Sequence, residues 1–305
     1  MGGLDIIYKN SVEQHEIDNM GHMNVQFYVQ HALDACGIFL KKKNLVQWPE
    51  VLNTRLTLEK ILIRFLREQT LATPFSISAN LVNVSLENIQ VLLEMQNLMT
   101  NGISASFLMT LKWNSIDRET KQILNKMEKN LSQKHPIPIH ASKKGLLKLV
   151  PLDLTVLEIN KIPNTLESFC GLAGKNYLNN LLQLNAADYM GVVSKAVPHL
   201  LLKSGHSIKD TGIGGAALEY EFRFNKFVDG GSSVMLKSGL RKITEKTYTW
   251  THWLIELKNH EVIAVADSVI ITMDLGLRKS VSIPRMMRSK LEEMLIDKFD
   301  NTVRK

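Results

Sequence analysis

Between Asn24 and Lys42 apolar residues occupy nearly every side of a helical projection, through Phe27, Tyr28, Val29, Ala32, Leu33, Ala35, Ile38, Phe39 and Leu40. A segment apolar all round predicts a helix enclosed by the fold. Four stretches rich in β-branched, aromatic and alternating residues follow it: Arg55–Arg67, Pro74–Ser85, Ile89–Met99 and Ile103–Trp113. They predict antiparallel strands, with Asn101-Gly102 supplying turn chemistry between two of them.

The same order returns further along. A shift of 161 residues lays Asn24 on Asn185, Tyr28 on Tyr189 and Gly37 on Pro198, and a shift of 160 lays Leu58-Glu59 on Leu218-Glu219. The second helix is expected over Asn185–Lys203, and its strands over Ala216–Val228, Ser233–Ile243, Thr247–Leu257 and Val262–Met273. Asp229-Gly230-Gly231 marks a turn, and Tyr248, Trp250 and His252 alternate with Thr249, Thr251 and Trp253 as on a two-faced strand. Asparagine stands at the N-cap of both helices, while Gly37 and Pro198 predict that both bend or end a turn there. One buried helix wrapped by an antiparallel sheet is an α+β plan, and its repetition predicts two tandem domains packed as a pseudo-dimer. The boundaries read as a first domain over 1–133, a linker over 134–150 and a second domain over 151–305. Asp117–Ser142 suggests an amphipathic helix leading into the stiff run Lys134-His135-Pro136-Ile137-Pro138, and Pro284–Phe299 suggests a matching terminal helix.

A length of 305 residues with 45% hydrophobic content suits two cores of ordinary size. Two cysteines, Cys36 and Cys170, give no disulfide framework, so a reducing cytoplasm is the expected setting and both thiols read as small core residues. Met1–Asn10 lacks the pattern of a signal peptide, Ile6 breaks the myristoylation pattern, and no stretch reaches membrane-spanning length, so a soluble protein is expected. The net charge of +7 favours polyanionic partners. The basic residues are scattered apart from Lys41-Lys42-Lys43 and Lys143-Lys144, and no zinc-finger or RNA-binding signature accompanies them, which argues against nucleic acid and leaves phosphate-bearing small molecules open.

Immediately before the first helix stands Asp18-Asn19-Met20-Gly21-His22-Met23-Asn24, followed by Phe27-Tyr28. This segment resembles the 4-hydroxybenzoyl-CoA thioesterase-like branch of the hot-dog superfamily, whose strand-to-helix turn reads Asp-x-x-Gly-His-x-Asn with an aromatic shortly after. The resemblance covers most of the first half and reaches the second through the repeat. It implies two hot-dog domains and hydrolysis of an acyl thioester. Asp18 would be general base on water or nucleophile, and helix-start N–H groups near Met23, Asn24 and Val25 would receive the charge developing on the carbonyl oxygen. Gly21 would leave the approach to the thioester open, His22 would order the loop, and Val25 and Tyr28 would line the substrate. An isolated Asp before a helix is more often a capping or turn residue, and the surrounding motif is what favours chemistry here.

Applied to the motif, the 161 shift lays Asp18 on Asn179, Gly21 on Leu182 and His22 on Gln183. An amide cannot serve as a base and leucine crowds the approach, so the second half reads as catalytically silent; the resemblance, to a family whose sites are clefts between two subunits, implies that it would supply one wall of a single site. Asp188 in the first turn of the second helix is a candidate second carboxylate, although an acid is favoured there electrostatically in any case; Asp34 is a weaker one. His15 and His31 read as structural, and neither a metal signature nor a cofactor is indicated. The expected activity is acyl-CoA hydrolysis, with an acyl-carrier-protein thioesterase and a non-catalytic acyl-thioester-binding protein as alternatives. In the double hot-dog acyl-carrier thioesterases the motif sits in the second half, unlike here. No Asp-x-x-x-x-His pairing at either helix start suggests a hydratase. Association of copies through sheet edges stays open.

Overall fold

The computed structural model describes residues 5–46, 55–130, 137–174, 184–204 and 212–296. The chain divides into two compact units, Met1–Lys143 and Lys144–Lys305. In the first, strands β1 (Asp5–Ser11), β2 (Leu56–Phe65), β3 (Pro74–Val84), β4 (Asn88–Asn97) and β5 (Ile103–Trp113) pair antiparallel in the order β1-β3-β4-β5-β2. Helix α1 (Val25–Lys42) runs against this sheet and α2 (Arg118–Asn130) follows β5. The second unit has a short helix α3 (Val156–Ile159), β6 (Leu166–Leu172), the central helix α4 (Ala186–Lys203), then β7 (Ile213–Phe224), β8 (Ser233–Ile243), β9 (Thr247–Glu256) and β10 (Glu261–Asp274). Its strands pair in the order β6-β8-β9-β10-β7, the same plan as the first unit; β11 (Lys279–Ser280) adds to β10, and α5 (Arg285–Glu293) follows.

Each central helix starts where its sequence dictates. Asn24 accepts from Gln26 N at 2.9 Å, and Asn185 accepts from Ala187 N at 2.8 Å. Both helices are 18 residues long and neither ends at Gly37 or Pro198. Proline removes one hydrogen bond from α4, but Ala196 and Leu200 are buried on either side of it, and their packing carries the helix onward.

One contact appears in both units and fixes the helix on the sheet. The Tyr28 hydroxyl accepts from Gln69 N at 2.9 Å and lies 3.4 Å from Arg67 O, in the loop after β2. Tyr189 does the same after β7, accepting from Val228 N at 3.1 Å and donating to Lys226 O at 2.9 Å. The backbone just ahead of each helix joins the same loop, Met23 N donating to Gln69 O and Leu184 N to Val228 O, both at 2.8 Å. The loop is held from its other side too: Leu66 and Arg67 donate to Ser104 O as Asn225 and Lys226 donate to Ile263 O.

The units differ inside. On the α4 side of the second sheet Ser168, Ser238, His252 and Ser268 form a continuous row, at 2.7, 2.8 and 3.1 Å, ending on the Tyr220 hydroxyl. Matching register positions of the first sheet are the buried Ala79, Leu93, Met109 and Ile61. Burial without a charged partner pushes the His252 imidazole down to about 3, so the ring is neutral. The far face of this sheet is covered as well: Leu152, Ile159 and Ile162 pack on Trp253 and Val265, and Trp253 Nε1 donates to Leu152 O. β9 is therefore buried on both faces rather than two-faced.

The stretch read as a stiff linker is bonded where it is described; residues 134–136 lie outside the described residues. His140 pairs with Glu94 and Ser142 O accepts from Arg64, while Lys144 N and Gly145 N donate to the buried Glu219 carboxylate. Cys36 is wholly buried, its thiol pushed up to about 12 by burial; Cys170 is exposed, contrary to the core reading. No helix among the described residues is long and apolar enough to cross a membrane.

Replacing Tyr28 with phenylalanine leaves the buried Gln69 amide without its acceptor, so the urea-unfolding free energy should fall by about 1–3 kcal/mol. For His252, the unfolded state takes up a proton below about 6.5 while the folded ring resists it down to about 3. Stability is thus full above the upper value and lost as pH falls through that window. Urea midpoints recorded from about pH 7 to 5 should decline more steeply for the parent than for His252→Gln.

Candidate functional site

The segment from Asp18 to Asn24 folds into a closed loop between two backbone contacts. Ile17 and Met23 form an isolated antiparallel bridge, Asp18 N donates to His22 O at 3.0 Å, and Gly21 N donates to Asp18 O at 3.0 Å. This tight turn requires φ +81° at Gly21, a conformation natural to glycine. A Cβ built there meets no atom within 4 Å, so among the described residues backbone conformation, not space, calls for glycine.

Asp18 is held by its own loop. Its Oδ1 accepts from Met20 N at 2.8 Å, which leaves Oδ2 turned to His22 Nδ1 at 3.4 Å. The other ring nitrogen of His22 lies 3.6 Å from Glu68 Oε1, so the imidazole stands between two carboxylates. Both Asp18 and His22 keep about a fifth of their side chains accessible, 23% and 21%, enough for a reactant to touch them. The turn-forming role of Asp18 is real, and it does not consume the second carboxylate oxygen.

The helix-start donors differ from expectation. Met23 N donates to Gln69 O and Asn24 N to Glu16 O, both at 2.8 Å, because the fold uses these two amides to fasten the loop. Gln26 N is taken by the Asn24 side chain and Phe27 N by Asn24 O. Among the described residues no group accepts from Val25 N, which stands at the first helical position, where the helix dipole concentrates about half a positive charge. Of the three amides expected there, Met23 N and Asn24 N are engaged by backbone carbonyls, which leaves Val25 N. Asn24 is an N-cap, as its residue type indicates.

Tyr28 is also reassigned. It is 3% exposed with its hydroxyl engaged by Gln69 and Arg67, and burial raises its ionisation well above the ordinary phenol. What the fold gives it is a buried contact that fastens α1 to the loop after β2. Asp188 sits at the third position of α4, its carboxylate accepting from Asn185 N at 2.9 Å in a capping box. That is the electrostatic role an acid has at a helix start. Asp34 accepts from Gln30 Nε2 on the surface of α1, away from the Asp18 loop. Asn179, Leu182 and Gln183, the counterparts of the motif, lie outside the described residues.

Sequence reading missed the supports. Gln69 is fully buried and joins four groups: its amide reaches Tyr28, its carbonyl Met23, and its side chain Ser104 and Asn97. Glu16 and His31 form a buried pair at 2.8 Å, with His31 Nδ1 2.9 Å from the Tyr8 hydroxyl. A polar residue in an apolar helix was the one signal for His31, and spacing along the chain does not reveal partners 15 and 23 residues away. Among the described residues no cluster of His, Cys, Asp and Glu is arranged to hold a metal ion.

The profile of the thioesterase-like superfamily matches residues 12–142 and 174–291, and the chain belongs to that superfamily. No curated protein matches it in sequence. Among solved structures it is similar to the 12:0-ACP thioesterase from Umbellularia californica, at a TM-score of 0.63 and 10% identity over 87% of this chain and 93% of that one. It is also similar to an acyl-ACP thioesterase from Bacteroides thetaiotaomicron, with TM-score 0.56 and 13% identity over 86% and 96% of the two chains. Such identities show the fold, a tandem double hot-dog in which both repeats are present.

Because Gly21 is required by conformation, Gly21→Ala should lower stability by about 1–2 kcal/mol without any steric clash. Gly21→Asn should lose less, since asparagine tolerates the left-handed region, and comparing the two by chemical denaturation checks the assignment.

Proposed function

We propose that this member of the thioesterase-like superfamily hydrolyses an acyl thioester at the Asp18 loop, with acyl-CoA as substrate. Asp18 takes a proton from water as its oxygen attacks the carbonyl carbon, and the carbonyl oxygen gains negative charge beside Val25 N–H and the positive end of α1. The carbon–sulfur bond then breaks, and the thiolate leaves with the proton that Asp18 held. In the alternative course the carboxylate attacks the carbonyl carbon directly, the carbon–sulfur bond breaks to release the thiolate, and water hydrolyses the resulting mixed anhydride to free acid and the Asp18 carboxylate. The observation that supports this reading is the closed loop: it keeps one carboxylate oxygen of Asp18 uncommitted to the backbone while tying it to the start of a buried helix. His22 orients that oxygen, and Glu68 orients His22.

A carrier protein as acyl donor has support of its own. Both relatives named above are acyl-ACP thioesterases, and a net charge of +7 suits an acidic carrier as well as the phosphates of CoA. We assign the second hot-dog unit no catalytic residue in either case, and we place the protein in the cytoplasm on its cysteine content.

Purified full-length protein should release free thiol from a panel of acyl-CoA and acyl-carrier-protein substrates. Asp18→Asn keeps an oxygen for the Met20 amide and so keeps the loop, yet should lower kcat by roughly 10²–10⁴-fold with an unchanged thermal midpoint. Equal rates for variant and parent would take Asp18 out of the mechanism, and the panel decides between the two acyl donors.

A further inference from the structure

A cavity of about 480 Å³ lies within the second unit, where residues 148–150, the end of β8 and α5 meet. Its position follows from a local irregularity. The β8–β9 register shifts between Leu240 and Lys242, which re-aims the side chains at the end of β8. The chain after α5 is anchored beside it, with Ile296 N donating to Leu240 O at 2.9 Å. Met287 and Leu291 of α5 are buried against Leu240 and Trp250, and this packing leaves Arg288 at the cavity wall.

Four cations converge there, Lys148, Arg241, Lys242 and Arg288, against one acid, Glu292. That acid is already engaged by Arg288 Nε at 3.0 Å. Two of the cations are fixed in place: Arg241 is 7% exposed, bonded to Thr251 Oγ1 and Val150 O, while Arg288 Nη1 donates to Thr244 O at 2.9 Å. Lys148 and Lys242 are exposed, and among the described residues neither has an acidic partner. Like charges gathered around a concave surface repel one another, and an anion entering between them relieves that repulsion. The space is that of a small-molecule site, larger than one phosphate needs, and Leu149, Ile243 and Leu295 give it an apolar wall.

We propose that this cavity binds a phosphorylated small molecule of the nucleotide class, its phosphates between Lys148, Lys242 and Arg288 and its flat apolar portion against the aliphatic wall. The site lies wholly in the unit that lacks the Asp18 loop, and its occupancy does not depend on hydrolysis. Two sources share the chemistry, a free nucleotide and the nucleotide end of CoA.

Titration calorimetry of the full chain with ADP, CoA, pantetheine and inorganic phosphate tests this, since none of the four carries a thioester to be hydrolysed. ADP and CoA should bind, pantetheine should not, and the affinity for both should fall with added salt. The double variant Lys148→Ala/Lys242→Ala removes two exposed side chains and should weaken ADP binding by at least tenfold, the scale of a single charge-assisted contact, with the fold checked by circular dichroism. ADP and CoA binding alike identifies the general nucleotide class, whereas CoA binding lost in the double variant without ADP binding narrows it to CoA. The proposal is overturned if neither ligand binds at millimolar concentration or if affinity is the same in the double variant. A protein that binds ADP but cleaves no thioester would keep this site and refute the hydrolase reading, so the two failures are separable.

Discussion

A tyrosine one turn into each central helix, bonded to an amide of the loop that follows the next strand, is the contact on which each unit depends. A helix enclosed by a sheet gains most of its stability from apolar burial, which is non-directional and would tolerate small slides or rotations. Hydrogen bonds are directional. By engaging the Gln69 amide, Tyr28 fixes the rotation of α1, and Met23 N on Gln69 O fixes its height. Everything at the Asp18 loop inherits that geometry, since the loop ends where the helix begins. The second unit keeps the same contact through Tyr189 and Val228, with Leu184 N again on the loop carbonyl of Val228.

The copies have diverged in what lies beneath that shared frame. One sheet presents Ala79, Leu93, Met109 and Ile61 to its interior; the other presents a chain of hydroxyls around a neutral imidazole. Each hydroxyl and ring nitrogen in that row has a neighbour, as burial demands, because an unmatched polar group there costs about 1–3 kcal/mol. The second sheet is covered on its other face too, by the segment that leads into it. The first unit thus holds the accessible carboxylate, and the second holds the more enclosed sheet.

Much of this was legible in the sequence because periodicity and repetition report burial directly. The apolar run from Phe27 to Leu40 and its partner from Ala187 to Leu202 leave little choice but enclosed helices, and eight of the strands fall within a few residues of their expected places. Strands β1 and β6 were not visible. They are held by backbone pairing to β3 and β8, and most of their side chains are exposed or half-exposed, so no alternation marks them. At the site, Asp18, Gly21 and His22 could be picked out as a motif, but which carbonyls take the Met23 and Asn24 amides is decided by the Glu16 and Gln69 backbones. Those partners are contributed by tertiary contact, and a motif read along the chain carries no trace of them. The burial of both faces of β9 was hidden for the same reason, since its cover comes from about a hundred residues earlier.

The two thiols sit at opposite extremes of accessibility. Cys36 is sealed inside α1 with its ionisation suppressed, while Cys170 lies exposed on β6, the outer strand of the second sheet order. The native protein therefore carries its own chemical handle: a maleimide dye reacts at one strand and leaves the helix untouched until the first unit opens. Labelling stoichiometry over time then separates unfolding of that unit from events elsewhere, using the natural sequence without any engineered cysteine.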